Sequence, residues 1–305
     1  MPAWIVGKAM LTKRTVLVLG AGASVPFNFP TGLKLSREIV NGCTPNAHHF
    51  ELLKDLGHFS PDEINHFRES FFLSGKNSID AFLEHRAEFV PIGKAAIALS
   101  LIPFERTDHI FTYNDDNWLR YVFNQLSTTF EDFGKNTLSI VTFNYDRVVE
   151  HFFFTALKNS YGKSDAECIE VLRHIPIIHL HGRLGCLPWE GDGGRPFHYQ
   201  ADEQALRVSM DNLKIIHEDT KDGRDEDFTT AKRMLAEAHQ VFFLGFGFNP
   251  TNVERLDIKK LPGNSMATAI GMKKQEIVAA VRISGQVQFR DIDCIGMCRE
   301  IIDWS

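Results

Sequence analysis

Short apolar segments recur along the chain, and each ends in a polar residue or a glycine. Most are continuous rather than alternating, which is the pattern of strands covered on both faces, as in a parallel sheet. They predict strands at Thr15–Leu19, Leu138–Phe143, Ile175–Leu180, Val241–Leu244, Met266–Ile270 and Val287–Phe289.

Helical patterns lie between these segments. In Asn117–Phe130, and again in Arg147–Lys158, apolar residues recur along one stripe of a helix. Alternation of strands and helices favours an α/β fold with right-handed crossovers. The pattern therefore predicts a doubly wound, mostly parallel, Rossmann-like sheet.

The predicted strands are unevenly spaced. More than a hundred residues separate the first strand from the next one at Leu138, and this interval has helical patterns that include Ser78–Phe89 and Gly93–Leu101. We interpret residues 33–135 as a helical module inserted into the sheet, and residues 1–305 as one domain.

Composition limits the classes of function. The chain has 305 residues, 44% hydrophobic and 24% charged, which is ordinary for a globular protein. A net charge of -6 gives no electrostatic argument for binding nucleic acid or an anionic membrane. Apolar runs such as Val241–Leu244 are far too short to span a bilayer, and Met1–Arg14 lacks the apolar core of a secretory signal. We therefore expect a cytoplasmic protein.

The five cysteines are widely scattered and include no Cys-x-x-Cys pair. This spacing predicts neither a zinc module nor a disulfide framework, and it favours buried thiols without a metal. The residues are Cys43, Cys168, Cys186, Cys294 and Cys298.

A glycine turn follows the first predicted strand. It reads Gly20-Ala21-Gly22-Ala23-Ser24 and precedes a helix that can begin near Thr31. Glycines let the chain turn tightly and let a pyrophosphate approach bare backbone N–H groups. Val25 stands where the dinucleotide fingerprint has its third glycine, so the match is incomplete. The alternative is an ordinary strand–helix turn.

Polar side chains follow the second and third predicted strands. Asn144 and Asp146 come after Leu138–Phe143, at the edge of a parallel sheet where ligands bind. Asp146 is also placed to cap the next helix. His181-Gly182 ends the following strand, and a histidine suits general-base chemistry. His179 shares a strand face with His181, and we interpret it as structural.

A second glycine turn, Gly245-Phe246-Gly247, follows Val241–Leu244. It predicts another close approach of backbone to a nucleotide, or else an ordinary turn before a helix.

The order of these motifs resembles the sirtuin superfamily, and most closely its bacterial sirtuin-like branch associated with antiphage defence. The resemblance covers about Leu17 to Asn252. It implies that NAD+ is the substrate. It implies roles for phosphate-binding Gly20, Ala21, Gly22 and Ser24, for Asn144 and Asp146 at the reacting ribose, for His181 as the base, and for Gly245 and Gly247 near the adenosine.

Two features depart from protein-deacylating sirtuins. The paired Cys-x-x-Cys zinc module is missing from the sequence, and Tyr145 stands where those enzymes have isoleucine. Both favour water as the nucleophile, which makes the expected reaction hydrolysis of NAD+ to nicotinamide and ADP-ribose. A protein deacylase, a non-catalytic sensor of NAD+ or ADP-ribose, and an NAD-dependent oxidoreductase remain as alternatives.

The resemblance also implies partners. An enzyme that destroyed NAD+ continuously would kill its cell, so we expect its activity to be restrained. The expected means are a homo-oligomer, a partner ATPase of the ring-forming translocase type, or a phage-derived trigger.

Overall fold

The computed structural model describes residues 10–191, 193–215 and 226–305. Most of Met1–Arg14, on which the predicted location partly depends, lies outside the described residues.

The described residues form one six-stranded sheet in which every strand pair is parallel. The strands are β1 (Thr15–Leu19), β2 (Leu138–Thr142), β3 (Ile177–His179), β4 (Gln240–Leu244), β5 (Ser265–Thr268) and β6 (Gln288–Arg290). Their order is β3-β2-β1-β4-β5-β6, the order of a doubly wound dinucleotide-binding sheet. The predicted fold class is confirmed, and the sheet is wholly rather than mostly parallel within the described chain.

Helices precede β2 and cover one face of the sheet. They are α1 (Gly32–Gly42), α2 (His48–Asp55), α3 (Pro61–Leu73), α4 (Ile79–Leu83), α5 (Val90–Leu101), α6 (Thr107–Ile110), α7 (Trp118–Leu126) and α8 (Phe130–Phe133). Short 3₁₀ helices form at Ala21–Phe27, Ala87–Phe89 and Ile102–Phe104.

The remaining helices lie after β2. They are α9 (Val148–Tyr161), α10 (Asp165–Leu172), α11 (Glu203–Asn212), α12 (Glu226–Glu237), α13 (Pro250–Arg255), α14 (Lys274–Ser284) and α15 (Cys294–Gly296), with a 3₁₀ turn at Ile258–Lys260 and a π turn at Met297–Ile301.

Alternate residues of β1 separate two hydrophobic cores. Leu17 and Leu19 belong to the larger core, which includes the helices before β2 together with α9 and α10. Val16 and Val18 belong to the other, which includes α12, α13 and α14. Burial on both faces explains why the strand sequences are continuously apolar.

One apolar stretch is longer than those noted from the pattern. By length and composition alone Ala87–Phe104 could cross a membrane. It contains α5, and nine of the twelve residues of that helix are buried. α5 packs against α1, α2 and α11, so its apolar character is that of a core helix.

The predicted strand bounds differ from the structure by one or two residues at an end of every strand except β1, and at the third strand Ile175–Leu180 is reduced to Ile177–His179. β3 is an edge strand that pairs only with β2 among the described strands. Beyond it the chain turns away at Gly182, which has a φ of 67° and bridges Leu213. The predicted helix Ser78–Phe89 is likewise interrupted, into α4 and a 3₁₀ turn.

Candidate functional site

The two glycine turns meet where the order of the strands reverses, between β1 and β4. Gly20 N–H donates to Leu244 O and Gly22 N–H to Gly245 O, both at 3.0 Å. A Cβ atom at Gly22 would lie 2.7 Å from Gly245 Cα. Gly245 has a φ of 57°, and a Cβ there would lie 2.2 Å from Ala23 N. Glycine is therefore required because the turns pack on one another.

The sequence suggested that the glycines leave room for a pyrophosphate. The packing of the two turns gives a different physical reason for them. Two of the N–H groups expected to face a pyrophosphate, those of Gly20 and Gly22, are donated to the end of β4 instead. The chain then continues as the 3₁₀ helix Ala21–Phe27 rather than running directly into α1. A Cβ at Gly247 would meet no atom within 4 Å, so Gly247 is not needed for the packing.

The 3₁₀ helix is fixed by a tryptophan of the helical segment. Trp118 Nε1 donates to Ala23 O at 2.7 Å, and its ring centroid lies 6.4 Å from that of Phe27. Both side chains are fully buried. This contact sets the position of Ser24.

Ser24 joins the predicted residues after β2 in a continuous hydrogen-bond network. Asn144 Nδ2 donates to Gly20 O and to Ser24 Oγ, both at 3.0 Å. Ser24 Oγ donates to Asp146 Oδ2 at 2.7 Å. Asp146 Oδ1 accepts from Val148 N–H, the first of α9, at 3.1 Å, but the N-cap of that helix is Arg147 and not Asp146 as predicted. The structure thus brings together three residues predicted from two separate motifs, the first glycine turn and the end of the second strand.

Burial changes the ionisation of this network. It raises the pKa of the Asp146 carboxyl from its ordinary 3.8 to about 6, although hydrogen bonds from Ser24 and Val148 and the nearby His179 act in the opposite direction. The folded protein therefore holds this proton more tightly than the unfolded chain does. The carboxyl's contribution to stability is full below pH 3.8 and is lost as the pH rises through about 6.

This linkage predicts how an Asp146→Asn variant responds to pH. Between pH 4 and pH 7 the wild-type protein should lose stability relative to the variant, on the order of 2 to 3 kcal/mol, because only the wild type must ionise a buried carboxyl. Urea unfolding of both proteins across this range measures the difference. Equal pH dependence in the two proteins would contradict the assigned burial cost.

His181 lies beside the same chain segment. Its ring is 5.2 Å from Phe143 and 6.2 Å from Tyr145, the two neighbours of Asn144. The turn behind it is tight, because a Cβ at Gly182 would lie 2.1 Å from Asn212 O. The strand ladder ends at His179, so the predicted sharing of one strand face does not extend to His181.

The environment of His179 differs from that of His181. His179 contacts Glu150, a residue that the sequence analysis did not single out. Its Nδ1 lies 3.0 Å from Asn144 O, and its Nε2 lies 2.5 Å from Glu150 Oε1. Burial alone would raise the pKa of Glu150, but the charge and hydrogen bond of His179 and the charge of Arg183 outweigh it and lower that pKa to about 2. The signal available was a single acidic residue within the apolar run Val148–Phe154.

Two further contacts tie this edge of the sheet to the helical segment before β2. Tyr145 Oη donates to Asp80 of α4. Arg147 is fully buried and pairs with Glu105 at 2.6 Å. Arg147 also donates to Arg195 O at 2.7 Å, and Arg195 makes its own ion pair with Glu105. The helices and the segment that follows His181 are thereby held against the start of α9.

Within the described chain, no group of three or more His, Cys, Asp or Glu side chains is placed to hold a metal ion. Ser24, Asn144, Asp146 and His181 are each less than a tenth exposed, so this edge of the sheet is closed.

A comparison with known protein families and a comparison with curated proteins gave no match for this chain. The sirtuin-like resemblance therefore depends on the motifs and stays a prediction.

Proposed function

We propose that this protein is an NAD+ hydrolase that cleaves the nicotinamide–ribose bond with water. The observation that carries the proposal is the direct bonding of the Asn144 amide to Gly20 O and Ser24 Oγ. It joins the residue assigned to the reacting ribose to the turn assigned to the phosphates, at the point in this strand order where dinucleotides bind.

In the proposed reaction NAD+ and water give nicotinamide, ADP-ribose and one proton. The nicotinamide ring leaves as a neutral molecule and takes the electrons of the broken bond, so no acid has to protonate it. Positive charge develops on the ribose, and Asn144 and the carboxylate of Asp146 would stabilise and orient it. His181 would accept the proton that the attacking water loses.

The packing of the glycine turns limits how the diphosphate is held. Because the N–H groups of Gly20 and Gly22 donate to the end of β4, phosphate oxygens would use other donors of the segment Gly20–Ser24. The side chains around His181 are buried, so entry of NAD+ would also require that Phe143 or Tyr145 move.

A closed site agrees with the expected restraint of the activity. We propose that opening depends on assembly, either with further copies of this chain or with a ring-forming translocase-type ATPase, and that a phage-derived trigger releases it in antiviral defence. A cytoplasmic location belongs to the same proposal.

The closed, internally bonded network also favours a second candidate, a sensor that binds NAD+ or ADP-ribose without turnover. Incubation of the purified protein with NAD+, with and without the candidate ATPase, separates the two. Chromatography should show nicotinamide and ADP-ribose in equal amounts. Binding by calorimetry with no product would favour the sensor. In parallel incubations, deacylation of an added acetylated peptide would favour a deacylase, and reduction of NAD+ by an added hydride-donor substrate would favour an oxidoreductase.

A further inference from the structure

His179 is the last residue of the edge strand β3, and its ring contacts the segment that carries the proposed catalytic residues. The strand pairs His179 with Thr142, two residues before Asn144, so the ring reaches past the end of β2. Its Nδ1 lies 3.0 Å from Asn144 O. The neighbouring Ile178 packs against the core that includes α12. Because side chains alternate along a strand, His179 lies on the α9 side of the sheet.

Both ring nitrogens of His179 face groups that only accept hydrogen bonds. Nδ1 faces the carbonyl oxygen of Asn144. Nε2 lies 2.5 Å from Glu150 Oε1, and the pKa of this carboxyl, lowered to about 2 against the effect of burial, keeps it ionised. Both nitrogens therefore donate, and the ring carries a positive charge. The side chains of His179 and Glu150 are 7% and 3% exposed, so bulk water does not replace this ion pair.

The ion pair is held from behind by a second one. Arg183 donates to Glu150 Oε1 at 3.1 Å and to Glu190 Oε1 at 2.6 Å. Two cations and two carboxylates thus alternate from His179 outwards. The His179 ring cannot turn away from Asn144 O without also breaking its bond to Glu150.

The charge of His179 also acts on Asp146. Burial raises the pKa of the Asp146 carboxyl, and the charge of His179 acts in the opposite direction because it favours the ionised form. Glu150, the other charged group that acts on this carboxyl, raises its pKa, but less strongly than His179 lowers it. The contacts from Ser24 Oγ and Val148 N–H are neutral donors. Loss of the charge at position 179 should therefore favour the protonated carboxyl.

We propose that His179 is a positioning residue of the proposed NAD+ site, whose ring fixes the Asn144 carbonyl and whose charge keeps the Asp146 carboxyl ionised. The ionised carboxyl is the form that the proposed reaction uses. The role of His179 in catalysis rests on the proposed function, whereas the effect of its charge can be measured without turnover.

Two substitutions separate the bond that the ring makes from the charge that it carries. His179→Asn places an amide nitrogen where Nδ1 lies, so it keeps a donor for Asn144 O and loses the charge. His179→Gln places its amide nitrogen where Nε2 lies, so it reaches Glu150 and loses the bond to Asn144 O. The control is His174→Gln, at an exposed histidine that precedes β3.

The first measurement is a titration of the Asp146 carboxyl by carbon-13 NMR, with Asp146→Asn to assign its signal. In both variants at position 179 the midpoint should lie about one pH unit above the wild-type value of about 6, because a nearby opposite charge lowers a carboxyl pKa by about one to three. His174→Gln should titrate as the wild type does. An unchanged midpoint in both variants at position 179 would overturn the proposal.

The second measurement is nicotinamide release as a function of pH, with the candidate ATPase present. At pH 8.5 His179→Asn should keep most of the wild-type kcat, whereas His179→Gln should lose about ten- to a hundred-fold with little change in KM, since a misplaced catalytic group costs up to about a hundred-fold. As the pH falls, both variants should lose activity at a higher pH than the wild type.

Equal kcat in the two variants at pH 8.5 would overturn the positioning role. Absence of nicotinamide from the wild type under every condition would instead overturn the proposed function. The NMR titration would then still decide whether the charge of His179 acts on Asp146, so the two failures are distinguishable.

Discussion

Alanine at position 181 should reduce nicotinamide release from NAD+ by a factor of about a hundred to ten thousand, the usual effect of removing a general base. The ring of His181 is buried against Phe143 and Tyr145, so the variant also loses some packing. His151→Ala is the matched control. It removes a ring that stacks on Phe197 at 4.1 Å and has no bond to Ser24, Asn144 or Asp146 in the network described above.

The same loss of activity is expected for Asn144→Ala, with Asn136→Ala as its control. Both residues flank β2, both amides are buried, 8% and 2% exposed, and each donates to a backbone carbonyl, Asn144 to Gly20 O and Asn136 to Leu126 O. Asn136 lies before the strand and Asn144 beyond it, at opposite edges of the sheet. Each should lower the melting temperature, but only Asn144→Ala should abolish turnover. Activity that falls equally in the two variants would reduce Asn144 to a structural role.

Gly245→Ala should destabilise the protein by about 2 to 5 kcal/mol. A side chain at a φ of 57° costs about 1 to 2 kcal/mol, and overpacking adds about 1 to 3 kcal/mol. The new Cβ would lie 2.2 Å from Ala23 N and 2.5 Å from Gly22 Cα, which are backbone atoms that cannot rotate away. The turns would have to separate, and the position of Ser24 depends on them.

Gly247→Ala is the matched control, two residues further along the same turn. Its Cβ would meet no atom within 4 Å, so stability should change by less than about 1 kcal/mol. Urea unfolding of both variants gives the comparison. If the two variants lose similar stability, the need for glycine at position 245 does not come from the direct packing of the glycine turns.

Much of the sheet follows from local sequence. β1 was predicted with its observed bounds, Thr15–Leu19, because it lies at the centre of the sheet and its apolar run coincides with its pairing. β3 could not be bounded in this way. Its residues remain apolar beyond the point where Gly182 turns the chain towards Leu213, a contact that only the tertiary structure provides.

The candidate site was predictable to the extent that it lies at strand ends. Parallel strands place their carboxyl ends at one edge, so the proximity of Ser24, Asn144 and Asp146 follows from two local motifs. The reason for the glycines was not predictable. Gly22 and Gly245 are separated by most of the chain. The local sequence does not distinguish a glycine that makes room for a ligand from one that makes room for another turn.

Buried ion pairs were beyond sequence reasoning for the same reason. Glu105 is 42 residues from Arg147 and 90 from Arg195. In its local sequence, each of the three resembles an ordinary charged residue of the surface. Their burial depends on how the segment after His181 folds back onto the helices.

The most direct test is a crystal structure of the His181→Ala variant soaked with NAD+. The nicotinamide ribose should lie between Asn144 and position 181, with the diphosphate beside Gly20–Ser24. Intact NAD+ bound anywhere else, with this edge of the sheet still closed around Asn144 and Asp146, would contradict the proposed site.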